Sequence, residues 1–560
     1  MIFINPAQEK FGGPLLSGYV PVSMPTAIGT ISAYLEKHGI SSVIIDDEMD
    51  KITQSILYEV VEGQEKPYIF GLTGMTAHAV RTYEIAQMIK ETFENSIVIA
   101  GGVHATAVPE EPLKTGFIDY VVRGEGEEIM LQLYRAIRGG SNPSNILGLS
   151  YKENGEIISN QPASLIPDLN ILPIFPYHKF TNPKYDSSFI VSSRGCPYRC
   201  SYCSQRLSTG TTYRFRSAEL VVEELDILVN TYSNREIGFY DDNFCLVNKR
   251  VHELCDLIID RKLNEKVKLG IQTRADNFLS GGEDLIRHMA EAGFSDIGFG
   301  LETGTQRLAD LIRKDETIET QLEATRLAQK HGFEVALFMI FGLPTETGDD
   351  RLEGFRIVND VFKIRETKYN NLIPYPGTPM FSELKDSGRV VVTQHWGNFN
   401  STLAMTRSIF DKTPLPYVPE TSSEWELKRD IVRYNYRSYL HWRALVRIIM
   451  NKKGAAWFVL SERWYLKPFE LIKLFKLGLN VIVNFCIASL PLKVSEPLMC
   501  TLNPELKKRP RIKDYNPKSY ITKDWDKDET KNIMRRLKKA KDQYKASGKV
   551  TVTNEAGLNG

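Results

Sequence analysis

The sequence predicts an α/β protein: a doubly wound, Rossmann-like parallel sheet, then a partial (βα)6 barrel of the TIM type, then a helical C-terminal region. Two observations carry this. Over the first 140 residues, short apolar runs rich in β-branched residues alternate with single helices, and that alternation makes parallel sheets. The rhythm breaks in a Pro-rich stretch and restarts at Ser187 for six further βα units, most of the way round a barrel. The expected regions are 1–140, a linker over 141–185, a core over 186–390, a helical region over 391–505 and a basic, poorly ordered tail over 506–560.

In the first series, MIFIN (1–5) reads as a strand. PTAIGTISAYLEKHG (25–39) reads as a helix that stops at Gly39. SSVIID (41–46), YIFGLTG (68–74), SIVIAGG (96–102) and DYVVRGEGE (119–127) read as strands, with helices in 79–93 and 127–140. Such sheets bind ligands beyond the carboxyl ends of their strands. There the chain places Thr73, Gly74 and Thr76, then Gly101, Gly102 and His104, then Gly124, Glu125 and Gly126. Glycines let a backbone come close to a phosphate or a flat ring. No G-x-G-x-x-G follows the first strand, which speaks against a nicotinamide dinucleotide. In the linker, Asn154-Gly155 marks a hairpin, and the prolines from Pro167 onward mark an extended surface run.

In the second series, strands are expected in 188–195, 236–242, 268–275, 296–302, 335–344 and 369–375, with helices between them. Barrel enzymes place their chemistry at the carboxyl ends of strands. Directly after the first of these strands stands RGCPYRCSYCSQR (194–206), with Cys196, Cys200 and Cys203 and no fourth cysteine nearby. A structural zinc site wants four ligands and a disulfide framework wants an even count. Seven cysteines in 560 residues, three of them clustered, point to a metal site in a reducing compartment. Cys245, Cys255, Cys486 and Cys500 lack such spacing and read as core or incidental thiols.

Cys-x3-Cys-x2-Cys with an aromatic, Tyr202, before the third cysteine resembles the signature of the radical S-adenosylmethionine superfamily. The competing reading is a zinc knuckle with a distant fourth ligand. The resemblance implies that three thiolates hold three irons of a [4Fe–4S] cluster. The fourth iron is left for the amine and carboxylate of S-adenosylmethionine, whose reductive cleavage yields a 5′-deoxyadenosyl radical. It also implies roles for the strand ends. Asp241 and Asp242 would accept hydrogen bonds from the methionine amine or the substrate, and Arg274 would meet a carboxylate. Glu302 would bond the ribose hydroxyls or the amine. Ile340 and Gly342, in FMIFGLPTET, would contact adenine, and Tyr375 would stand near the active-site mouth. Each has a structural alternative: a helix cap, an internal ion pair or a turn.

The first 140 residues resemble the cobalamin-binding domain of cobalamin-dependent radical enzymes. Many such domains carry D-x-H-x-x-G after the first strand, but here that loop reads NPAQEKFGG. Either cobalt lacks a protein histidine or the domain has lost the cofactor. His104 would touch the corrin or its nucleotide tail, or would simply bond to backbone. The expected reaction is methylation of an unactivated carbon, fed by an external donor such as flavodoxin or ferredoxin. Its rivals are radical cyclisation or rearrangement, as in the anaerobic magnesium-protoporphyrin ester cyclases, and a first domain that binds substrate instead of cobalamin.

The remaining composition excludes little else. Apolar residues (42%) and charged residues (25%) are ordinary for a globular chain. No basic n-region precedes MIFIN, and no run of about 18 apolar residues occurs, so the expected location is cytoplasmic. Between Lys507 and Lys549, 16 Lys/Arg stand against 6 Asp/Glu. That basic flank beside the apolar stretch 463–492 reads either as a solvated tail behind buried helices or as peripheral membrane contact serving a small-molecule or lipid-like substrate. No base-stacking pattern supports a nucleic-acid partner.

Overall fold

The computed structural model describes residues 1–8, 22–362, 364, 366–401, 408–439, 468–513 and 515. The chain opens with β1 (Ile2–Asn5), a two-residue β2 (Val22–Ser23), β3 (Val43–Asp46), β4 (Ile69–Thr73), β5 (Ile97–Gly101) and β6 (Tyr120–Val122). The hairpin β7 (Leu149–Glu153) and β8 (Glu156–Ser159) follows. These strands, β2 excepted, form one sheet in the order β3-β1-β4-β5-β6-β7-β8. It is parallel through β6 and antiparallel at β7 and β8. Asn154 (φ 51°) and Gly155 (φ 86°) supply the two positive φ angles of a tight hairpin turn. The hairpin expected within the linker extends the first sheet.

Both faces of this sheet are covered, so its strands are apolar on both sides. Helices Thr26–Lys37 and Gly126–Gly139 lie on one face over Phe3, Ile69 and Ile99. Helices Gln54–Val61 and Ala79–Thr92 lie on the other, joined by Trp396 and Phe399 from far along the chain. Gly39, at φ 78°, ends the first helix where the sequence placed its stop.

The Pro-rich run docks on the first unit. Phe175 fills the space above Gly29, where a Cβ would come within 2.3 Å of its ring. β9 (Tyr185–Asp186) pairs with β2. The second sheet contains β10 (Phe189–Ile190). Beside it, β11 (Ser193–Arg194) and β12 (Arg214–Phe215) pair only with each other. The sheet continues with β13 (Glu236–Phe239), β14 (Lys268–Thr273), β15 (Phe294–Glu302), β16 (Glu334–Phe341) and β17 (Glu366–Asn371). Its order, β10-β13-β14-β15-β16-β17, is sequential and all parallel, a six-stranded partial barrel.

The open edge of β17 is covered, not left to pair with another chain. Helix Glu424–Tyr439 lies against it, and Asn435 gives its amide to the Tyr369 carbonyl (2.9 Å) while accepting the Tyr369 N–H (3.2 Å). The fully buried Arg351 fastens this helix through Asp430 (2.9 Å), Glu426 (3.2 Å) and Glu346 (3.5 Å). Helices Pro468–Ser489 and Leu492–Leu502 follow, exposing Leu479, Ile482, Val494 and Leu498. Among the described residues no helix is long and apolar enough to cross a membrane. The start of the basic tail is docked: Arg509 is buried and donates to Glu424 (2.8 Å) and the Leu415 carbonyl (2.7 Å). The expected disorder beyond Tyr515 lies outside the described residues.

Removing one partner of a buried charge network leaves the others unpaired, at a cost of about 3–5 kcal/mol. Arg351→Leu should lower the denaturant midpoint accordingly and open helix Glu424–Tyr439 to hydrogen exchange. An unchanged midpoint would mean that the three acids do not depend on Arg351.

Candidate active site

The cysteine loop begins where the barrel sheet is interrupted. After Ile190 the amides of Ser192 and Ser193 donate to Asp241 at 2.7 and 3.1 Å, and the Ser192 hydroxyl donates at 2.6 Å. The chain turns away into β11, and β12 returns it with Arg214 opposite Arg194. Gly195 closes this neck at φ 88°. A Cβ there would lie 2.2 Å from the Thr212 carbonyl oxygen, so only glycine fits. The Ser201 amide donates to the Ile312 carbonyl (2.9 Å), and the Met380 amide to the Ser201 carbonyl (3.0 Å). The cysteine loop is thereby tied to the segments that follow β15 and β17.

Burial pushes the Cys196 and Cys203 thiols up to about 12 and raises Cys200 as well. Such thiols surrender their protons to a bound cation, which iron supplies. Among the described residues no three His, Cys, Asp or Glu side chains gather as ligands of a single metal ion. Three thiols from one loop suit a cluster with one open iron. The loop's return is pinned by Asp242, which accepts from the Gly195 amide and from Gln205 and Thr209. Burial, and then Asp241, raise its carboxyl to about 7.

Behind the loop, Tyr202 donates to Glu302 (2.9 Å), and Lys314 stands 3.5 Å from the same oxygen. Glu302 sits at a bulge in β15 with φ 63°, a conformation disfavoured for its side chain. Gly300 makes room for it, since a Cβ there would come within 2.3 Å of the Glu302 carboxylate. Glu302 is thus held against Tyr202 of the cysteine loop.

A cavity of about 840 Å³ separates the cysteine loop from the first sheet. Thr73, Gly74, Gly101, Gly102, Gly124 and Gly126 line one side; Ser204, Gln205, Thr209 and Asp242 line the other. An apolar arm runs under helix Thr26–Lys37 to Phe3, Gly71, Ile99 and Met130. A Cβ on Gly71 would meet the Phe3 ring at 3.0 Å and narrow the arm. A glycine rim with a flat apolar slot fits a corrin and its nucleotide base.

Several expected residues stand elsewhere. His104 is buried away from the cavity, its Nε2 3.3 Å from the Tyr83 hydroxyl and its ring edge-on to Trp396. Glu125 lines the cavity, but its carboxylate is spent on Arg194, Arg214 and the Ile166 amide. Arg274 is stacked 3.7 Å over Tyr198 and donates to Asp276 and to the Lys314 and Asp315 carbonyls, which leaves little for a ligand carboxylate. Asp241 supports the loop's neck and does not line the cavity. Gly342, at φ 89°, is a turn that admits Leu427, and Ile340, like Tyr202, packs on the cluster of Leu308, Ile312 and Leu343. Tyr375 leans on the core of the first unit, and Thr76 is buried beside the rim.

His78 is among the cavity residues that escaped sequence reasoning. It lies one turn into the helix after β4, and its Nδ1 accepts the Met75 amide at 3.0 Å. Burial lowers its pKa to about 4, so the ring is neutral near pH 7 and carries its proton on Nε2. The strand-end rule used for Thr73 and Gly74 reaches this far if it is extended by one helical turn.

This geometry is that of a radical enzyme with a corrin-binding unit, and comparison with known proteins gives the same class. The Radical SAM superfamily model matches residues 190–356 and the B12 binding domain model residues 21–133. An uncharacterized methyltransferase of Pyrococcus horikoshii is 31% identical over 372 residues, 65% of this chain and 79% of that protein. The anaerobic magnesium-protoporphyrin IX monomethyl ester cyclase of Cereibacter sphaeroides is 27% identical over 78% of this chain and 72% of its own. Among solved structures, the cobalamin-dependent radical enzyme OxsB with aqua-cobalamin aligns over 99% of this chain and 82% of its own, with TM-score 0.65 and 17% identity. The methyltransferase TsrM of Kitasatospora setae, with cobalamin and a [4Fe–4S] cluster, aligns over 70% and 76%, with TM-score 0.59 and 19% identity. The chain belongs to the radical SAM superfamily, in the group that carries a B12 binding domain. It is an enzyme whose cofactors are a [4Fe–4S] cluster, S-adenosylmethionine and cobalamin.

Replacing Cys196, Cys200 or Cys203 by Ala should abolish cluster binding and deoxyadenosine formation, whereas Ala at Cys245, Cys255, Cys486 or Cys500 should not. Iron and sulfide analysis after anaerobic reconstitution checks both halves. With Nδ1 of His78 occupied and no histidine before His38, cobalt should carry no protein nitrogen. Electron paramagnetic resonance of the cobalt(II) form tests this, and nitrogen superhyperfine splitting from the protein would refute it.

Proposed function

We propose that the protein methylates an unactivated carbon of a small or lipid-like substrate. The observation that carries this is the shared cavity: the glycine rim of the first sheet and the Ser204–Thr209 side of the cysteine loop face one space. When bound, the cluster with S-adenosylmethionine supplies a hydrogen-abstracting radical, and cobalamin supplies a transferable methyl group. The chain's own residues do the rest. Three thiolates fix the cluster, while Glu302, backed by Tyr202 and Lys314, offers an acceptor for S-adenosylmethionine hydroxyls or amine. His78 offers an Nε2–H donor to the corrin edge, and Asp242 holds the loop. The apolar rim and arm exclude water from the radical path. Likeness to the Pyrococcus methyltransferase and to TsrM supports methyl transfer, and likeness to the Cereibacter cyclase supports cyclisation as the second reading. The same proposal assigns residues 1–140 with the following hairpin to the corrin, 186–390 to the radical core and 391–505 to its cover. The reductant is an external donor in the cytoplasm, and the exposed Leu479, Ile482, Val494 and Leu498 support a substrate drawn from a lipid surface.

Reconstituted enzyme given methyl-labelled S-adenosylmethionine and a cell extract decides between these. Label in a new extract product, in the lipid fraction for the lipid-like case, is expected together with deoxyadenosine. Deoxyadenosine and an altered product without label would establish cyclisation, and absence of bound cobalt would assign the first unit to substrate binding.

A further inference from the structure

The four side chains Arg194, Arg214, Glu125 and Glu127 form a buried ion cluster that joins the cysteine loop to the first unit. Arg194 reaches Glu125 at 3.1 Å and Glu127 at 2.6 Å, and Arg214 reaches Glu125 at 2.7 Å. The two arginines are cross-strand partners in β11 and β12, the neck from which the cysteine loop springs. Arg194 is two residues before Cys196. Arg214 also donates to the Thr209 carbonyl (2.7 Å) on the loop's return and to the Ile166 carbonyl (2.7 Å), while Glu125 accepts the Ile166 amide (2.7 Å). On the other side, Glu125 stands at the N-cap position of helix Gly126–Gly139, between rim glycines Gly124 and Gly126, and Glu127 lies in the helix's first turn.

Two charges of each sign, Arg194 16% exposed and the other three side chains 6% or less, are a poor source of stability, because desolvation consumes most of the attraction. Their yield is geometric. Arg–carboxylate contacts are directional, and each arginine here is held by at least two acceptors. A shift of the cysteine loop against the glycine rim would break several charged bonds together.

We propose that Arg194, Arg214, Glu125 and Glu127 act as positioning residues that fix the distance and orientation between the cluster loop and the corrin rim. This rests on the corrin-binding reading of the first unit. Arg194, Glu125 and Glu127 reach the cavity wall but are paired with one another, and Asp242 and Ser201 hold the loop without them, so each cofactor should still bind when the ion cluster is broken. What should change is how the two are held relative to each other.

The test uses Glu125→Gln, which keeps the shape and removes the charge, in the full chain. Asp47→Asn is the control: it removes an equally buried charge, paired with Arg81 at 2.7 Å, inside the first unit alone. Iron content and hydroxocobalamin affinity are measured first, then the spin relaxation of the cobalt(II) signal in the presence of the reduced cluster, which reports their separation. In Glu125→Gln, iron content should stay at the wild-type value and cobalamin affinity within about threefold, each tenfold in affinity being about 1.4 kcal/mol. The relaxation enhancement should fall and broaden into a distribution, while Asp47→Asn keeps the wild-type enhancement. Unchanged relaxation in Glu125→Gln, or an equal change in Asp47→Asn, would overturn the proposal. If Glu125→Gln does not fold, Glu127→Gln cuts only the Arg194 arm and must show the same change. Wild-type protein that binds no hydroxocobalamin would instead refute the corrin reading itself.

Discussion

The site depends on one carboxylate. Asp241 is completely buried and accepts three hydrogen bonds from Ser192 and Ser193, with Arg250 3.8 Å away. A charge so placed persists only when its lone pairs are filled. Filling them ends the ladder of β10 after two residues and swings the chain outward. Without that diversion Arg194 would continue the barrel strand, and the cysteines would have no neck to spring from. The tightness of Gly195 against Thr212, the pairing of β11 with β12 and the grip of Asp242 all follow from it.

A second constraint brings the two units together. The chain returns to the first sheet after the barrel is complete, where Trp396 donates to Glu111 at 2.6 Å and packs on Phe399 and His104. The Pro-rich run holds the same unit from the other side, with Tyr185 donating to Asp46 at 3.0 Å. The first unit is therefore gripped at both faces by segments from before and after the barrel. A cavity between two independently packed cores keeps its shape only when both are restrained in this way. His104 is spent on this grip, which explains its absence from the cavity.

What the sequence revealed was what short-range physics decides. Strand and helix alternation is visible because parallel strands are apolar on both faces, and Gly39 and Asn154-Gly155 are visible because few other residues take their φ angles. The cysteine spacing is visible because one loop supplies all three thiols. Charged residues were harder. Glu125 and Arg274 stand at the strand ends where ligand contacts were expected, yet each is paired internally. Nothing local marks Arg194 and Arg214 as cross-strand partners, because that register is set by Asp241 from another strand. His78 was missed for a simpler reason: its cavity position comes from the helical turn after Met75 and Thr76, not from a strand end.

Backbone strain is found at both ends of the barrel, with Ser233 and Lys262 before β13 and β14, and it gathers around Glu302 at the end that carries the cysteine loop. Glu302, Arg313, Asp315 and Thr345 all have φ between 55° and 64°, and all lie at the end of β15 or in the segments after β15 and β16. Each such residue costs roughly 1–3 kcal/mol and survives only where its surroundings over-determine it. Here they do: Glu302 is held by Tyr202 and Lys314, the Arg313 side chain by Glu383 at 2.8 Å, and the Thr345 hydroxyl by Arg307 at 2.6 Å. The same segment presents the Ile312 carbonyl to Ser201 and the Lys314 carbonyl to Arg274. The strained turns thus brace the cysteine loop from behind while the ion cluster braces it from the first unit. A loop braced from two sides can keep its three thiols in place as iron is bound, which a loop held only at its neck could not do.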